Sequence, residues 1–210
     1  MSGFEEHILN AIRKLEKKDK EREKLLQISR EILRKARQIV LNIQSGNIKK
    51  SSEIINKIIK EKNDLDFFKI NNPDLYHSGT VVGALTEYVE SLQLYNFLTK
   101  KRILSLEELN VEPAPYLLGL ADLVGELRRI TIEKIKSNNF EEAERIFLVM
   151  EKIYHLLRTT ILPEALIPGL RRKTDIIRNV VENTRKDILY YKKSFILSKK
   201  LEEVAKKLEI

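Results

Sequence analysis

The sequence has 210 residues, 42% hydrophobic, 33% charged and 7% aromatic, with 7 glycines, 5 prolines and a formal net charge of +8, which fits a single domain spanning residues 1–210. So few glycines and prolines leave too few turns for a sandwich or barrel, and with no low-complexity tract a disordered chain is excluded as well. There is no cysteine and only three scattered histidines, which excludes disulfides, thiolate zinc sites and a thiol nucleophile and leaves oxygen to hold any metal.

Hydrophobic periodicity reads as helix almost throughout, so the expected fold is all-α, an antiparallel bundle of about seven helices joined by short connections. The first helix carries an apolar stripe from Ile8, Ile12 and Leu15 through Leu25, Ile28, Ile32, Ala36, Ile39 and Ile43 and stops near Ser45-Gly46, a length of about 60 Å. Its stretch Lys17 to Lys24 has no apolar residue, so it projects into solvent or meets a partner through charge. A second helix is expected from about Ser52 to Phe67, broken by Asn71-Asn72-Pro73-Asp74, and a third from about Leu75 to Lys101. Ser105 to Glu108 has the form of a capping box that starts a short helix. Pro115 suits the first turn of a helix running to about Lys136, and Asn139 with Glu142 caps another from Phe140 to about Thr159. A helix from Leu170 to Ser198 follows, with a peripheral one over residues 199–210. No apolar run nears the roughly 20 residues of a membrane span, and Glu5 and Glu6 precede any apolar stretch, so a cytoplasmic protein without a membrane partner is expected.

The charge is segregated: residues 13–37 and 171–210 each carry a net +6, whereas residues 71–170 carry −4. Such basic ends attract polyanions, and equally suit solvated helix faces rich in Lys and Glu. Two apolar helices also carry acids. Glu87 and Glu90 stand one turn apart on a stripe with Thr80, Gly83 and Ser91, surrounded by Val81, Val82, Leu85, Val89 and Leu92. Asp122 and Glu126 repeat the pattern with Gly125 and Arg129 among leucines and valines. Facing each other, four such carboxylates would need a compensating cation, and Mg²⁺ or Mn²⁺ takes hard oxygen ligands and serves phosphoryl chemistry. Each stripe also suits a face turned to water.

The segments Leu85-Thr86-Glu87-Tyr88-Val89-Glu90 and Tyr116 to Leu127, the latter reading YLLGLADLVGEL, closely resemble the translin family, and within it the branch of translin-associated factor X (TRAX). Lys24 to Ile32 and Leu170 to Asp175 are similar to the family's first and penultimate helices, so the resemblance covers roughly residues 20–196. It implies all-helical subunits of hollow, barrel-like octamers and a metal-dependent endoribonuclease that cuts single-stranded RNA inside the assembly. The family's catalytic acids match Glu87, Glu90 and Asp122, and its neighbouring metal-site acid matches Glu126, so all four are expected at Mg²⁺ or Mn²⁺. The connection from Asn110 to Pro115 is shorter than in eukaryotic TRAX, which suggests a compact archaeal relative assembling with itself as a homo-octamer. The family's basic nucleic-acid contacts align poorly near His77, which reads as a surface or capping histidine. Arg30, Arg34 and Arg37 at helical spacing, with Arg128 and Arg129, are the candidates for holding RNA phosphates, and equally suit an interface. A non-catalytic oligomer that binds RNA or DNA is the alternative, and a purely structural helical assembly a third.

Overall fold

The computed structural model describes residues 2–207. Among them all regular structure is helical: α1 Ser2–Gln44, α2 Ile48–Asn71, α3 Pro73–Tyr76, α4 Gly79–Lys100, α5 Leu106–Leu109, α6 Pro113–Lys136, α7 Phe140–Arg158 and α8 Leu170–Lys207. The chain forms two compact units, Met1–Tyr116 and Leu117–Ile210. None of the described helices is long and apolar enough to cross a membrane.

In the first unit α1 packs against α2 and α4, and its buried apolar residues begin at Leu25, followed by Ile32, Ala36, Ile39 and Ile43. Residues 3–20 are exposed along their whole length. The helix stops at Gly46, whose φ of +75° suits glycine. There the Asn47 N–H reaches the Asn42 carbonyl at 2.7 Å and the Gly46 N–H that of Ile43 at 3.0 Å, satisfying carbonyls that the helix leaves open. Lys35, buried on the inner half, is held between Glu31 of its own helix at 3.0 Å and Glu61 of α2. Lys62 is 1% exposed and bonds Asp66 at 2.7 Å, and Asp66 also accepts from Tyr76 and Asn110. This buried charge is therefore paired and hydrogen-bonded, as burial requires.

Several boundaries differ from the sequence reading. α2 begins at Ile48, directly after the Gly46 turn, and continues to Asn71, because only Asn72 must be extended ahead of Pro73. The expected third helix is two: Ser78 leaves helical geometry at φ −66°, ψ 152° and separates α3 from α4. α6 starts at Pro113 rather than Pro115, since first-turn residues have no carbonyl to bond and proline's missing N–H costs nothing there. The capping box is present, with the Glu108 N–H on the Ser105 side chain at 3.2 Å and the Ser105 N–H on the Glu108 carboxylate at 2.8 Å.

In the second unit α7 packs against α8, and Thr131 of α6 donates to the Met150 sulfur of α7 at 3.7 Å. The Asn139 side chain caps α7 by accepting from the Glu142 N–H at 3.2 Å. α8 is one helix to Lys207 with no break at Lys199. The lysines, leucines and glutamates there are good helix formers, and no glycine or proline interrupts them. Its last turns are largely exposed, and the remainder of the expected 199–210 segment, residues 208–210, lies outside the described residues.

Candidate functional site

α4 is buried around nearly its whole circumference, with Val81, Ala84, Leu85, Tyr88, Val89, Leu92, Leu94 and Phe97 in the core. Thr80, Gly83, Glu87 and Glu90, at spacings of three and four, form a partly open line along it. Ser91, expected on that line, is instead fully buried and donates to the Tyr88 carbonyl at 3.0 Å. Glu87 and Glu90 thus sit one turn apart on a helix that otherwise buries apolar side chains, where a carboxylate is costly unless it has work or a partner. Beside them, burial and then the negative charge of Asp66 push the Tyr88 phenol well above its ordinary value, so it stays neutral.

α6 repeats the arrangement in the second unit. Leu118, Ala121, Leu123, Val124 and Leu127 are buried, and Asp122, Gly125, Glu126 and Arg129 form the open line. The Asp122 carboxylate accepts from the Lys173 ammonium of α8, both side chains being about a third exposed at 27% and 32%. Lys173 belongs to the Leu170 to Asp175 segment, and no local pattern marks it as a site residue, because its partner lies 51 positions away. A Cβ added at Gly83 or Gly125 would meet no atom within 4 Å, so the backbone beside each acid pair stays open.

Among the described residues no three His, Asp or Glu side chains are gathered into a metal-holding group; the acids stand as one-turn pairs on α4 and α6. Carboxylates are the donor type that a hard divalent cation takes. Every donor is a carboxylate, each pair has open space beside it, and Asp122 already takes a positively charged partner in Lys173.

The candidate phosphate-binding arginines divide into engaged and open. Arg34 is bonded to Glu31 at 2.6 Å. This pairing, with that of Lys35, lowers the Glu31 carboxyl to about 2. Arg128 donates to Thr184 at 2.6 Å and to Asp187 at 3.0 Å, which ties α6 to α8. Arg30, Arg37 and Arg129 are exposed. His77 is the exposed residue that ends α3, its ring edge-on to Tyr76 with centroids 5.2 Å apart.

Known proteins place this architecture. An uncharacterised protein of Methanocaldococcus jannaschii is 37% identical over 202 residues, covering 93% of this chain and 86% of that protein. The crystal structure of AfC3PO is similar at 31% identity and a TM-score of 0.81, over 90% of this chain and 98% of that one. The AfC3PO complex with duplex RNA is similar at 30% identity and 0.82, over 90% and 97%. Apo-NeC3PO, at 24% identity, shares the fold with a TM-score of 0.77 over 87% of this chain and 95% of that one. The sequence profile of the translin family, finally, matches residues 4–191, and the chain belongs to that family.

Proposed function

We propose that this protein is a TRAX-like, nucleic-acid-binding homo-oligomer, an octamer of the cytoplasm, that cleaves phosphodiester bonds of single-stranded RNA with Mg²⁺ or Mn²⁺. The observation that carries this is the pair of acid lines, Glu87 with Glu90 and Asp122 with Glu126, set into the largely buried, apolar stretches 81–97 of α4 and 117–127 of α6. The likeness to AfC3PO, which has been solved with duplex RNA, supports the nucleic-acid partner. Glu90 and Glu126 hold the cation most directly. When bound, the cation supplies Lewis-acid stabilisation of the charge that develops at phosphorus and on the leaving oxygen. Glu87 and Asp122 orient the attacking water and take its proton. Lys173 keeps the Asp122 side chain in one orientation. The open arginines Arg30, Arg37 and Arg129 hold backbone phosphates without reading sequence, and Arg34 and Arg128 do so only on exchanging their present partners.

The Lys173 pairing favours a second reading, in which the acids are structural and the oligomer only binds nucleic acid. End-labelled single-stranded RNA incubated with Mn²⁺, Mg²⁺ or EDTA separates the two. Cleavage that needs metal and falls about 10²- to 10⁴-fold in Glu90→Ala and Asp122→Ala, with assembly intact, is the expected result. Binding without cleavage, or cleavage unchanged in both variants, leaves the binding reading.

A further inference from the structure

The outer half of α1 carries Lys14, Lys17, Lys18, Glu21 and Lys24 at spacings that put all five on one face. That face and the corner between α2 and α3 line a cleft of about 600 Å³, completed by Phe67, Asn71, Asn72 and Asp74. The acids in it are already matched. Glu21 accepts from Lys24 at 2.8 Å, and Asp74 pairs with Lys18, an ion pair that lowers the Asp74 carboxyl. Lys14 and Lys17 are exposed and have no ion-pair partner among the described residues, so the cleft has an unspent double positive charge. Across from them Phe67 turns outward at 62% exposure, although its neighbour Phe68 is buried. An exposed ring set among lysines offers a stacking surface beside phosphate-binding cations.

We infer that this cleft seats an unstacked nucleotide of a single-stranded nucleic acid, its base on Phe67 and its flanking phosphates on Lys14 and Lys17. The inference rests on the nucleic-acid-binding reading above and adds to it a capture site separate from the acid lines. A blunt duplex keeps its bases stacked and so cannot use Phe67, whereas its phosphates reach the lysines. The site therefore discriminates strandedness through the aromatic ring and contributes salt-dependent affinity through the two lysines.

The test is fluorescence anisotropy of a labelled single-stranded RNA in EDTA, with a blunt duplex of the same sequence beside it, read over a range of salt. Phe67→Leu is expected to weaken single-strand binding about tenfold and leave the duplex unchanged, with Phe67→Tyr restoring it. Lys14→Gln with Lys17→Gln is expected to lower the salt slope on single strands by about 1.4, since each phosphate contact contributes about 0.7. Lys57→Gln with Lys60→Gln removes the same charge from an exposed part of α2 and serves as the control, and light scattering checks assembly in every variant. If the protein binds RNA but the cleft variants match the control pair, the capture site is overturned while the nucleic-acid reading stands. Equal loss on duplex and single strand for Phe67→Leu overturns base stacking. A wild-type protein that binds no nucleic acid overturns both readings.

Discussion

α4 and the outer half of α1 both present charge, and they do so at opposite cost. On α4, Glu87 and Glu90 are the only charged residues before Lys100 in a helix whose other side chains are largely buried. On the outer half of α1 lysines and glutamates crowd a surface that is exposed over residues 3–20. A solvated charge is nearly free and can be kept for solubility alone, so charge there says little until geometry adds something, as Phe67 does. A carboxylate cut into an apolar helix gives up packing that a leucine would supply. The charge that costs stability is therefore the better pointer to chemistry.

The largest expected effect tests that cost directly. Glu87→Gln keeps the shape of the side chain and removes the charge. Metal-dependent RNA cleavage should drop at least about 10²-fold, while the urea unfolding midpoint stays level or rises, because a site built for function gives back stability when it is neutralised. A midpoint that falls along with activity would make Glu87 a structural residue and erase the contrast. The next effect separates the two halves of α1. Ile32→Ala, at a fully buried position, should lose about 2–5 kcal/mol. Leu15→Ala, 67% exposed, should change stability by no more than about 0.5 kcal/mol, unless assembly covers it, in which case the loss should depend on protein concentration.

How far the sequence could be read follows from the range of the interactions involved. Signals acting over three or four residues were legible: the Ser105 to Glu108 box, the Asn139 cap and the Gly46 stop all stand where the local sequence predicts. The acid lines were legible for the same reason, since helical spacing alone puts Glu87 with Glu90 and Asp122 with Glu126. Partners distant in sequence were not. Lys173 meets Asp122 across 51 positions, and Arg128 meets Thr184 and Asp187 across 56 and 59; no local pattern encodes them. The lysine face of α1 was visible as a charged stretch, but its cleft needs Phe67, about fifty positions on, which periodicity does not place. The local signals also carry modest energy, and Ser105→Ala should cost only about 1 kcal/mol by urea unfolding.

The smallest expected effect lies on the inner half of α1. Glu31 bonds Arg34 and Lys35, and Lys35 passes the interaction to Glu61 on α2. These partners favour the ionised carboxylate, chiefly through the Arg34 and then the Lys35 hydrogen bond, and lower its pKa from 4.5 to about 2. A carboxyl whose pKa is depressed on folding contributes stability above its unfolded pKa and loses it as pH falls through the folded value. The contribution of Glu31 should therefore be complete at neutral pH and disappear between about pH 4.5 and 2. Because the group is solvent-accessible, salt should shrink it further. Urea midpoints for wild type and Glu31→Gln should differ at neutral pH, converge as the pH falls through that window, and converge earlier at high salt. A gap that ignores pH would mean that Glu31 acts through packing of its side-chain stem, and that charge does not fasten the inner half of α1 to α2.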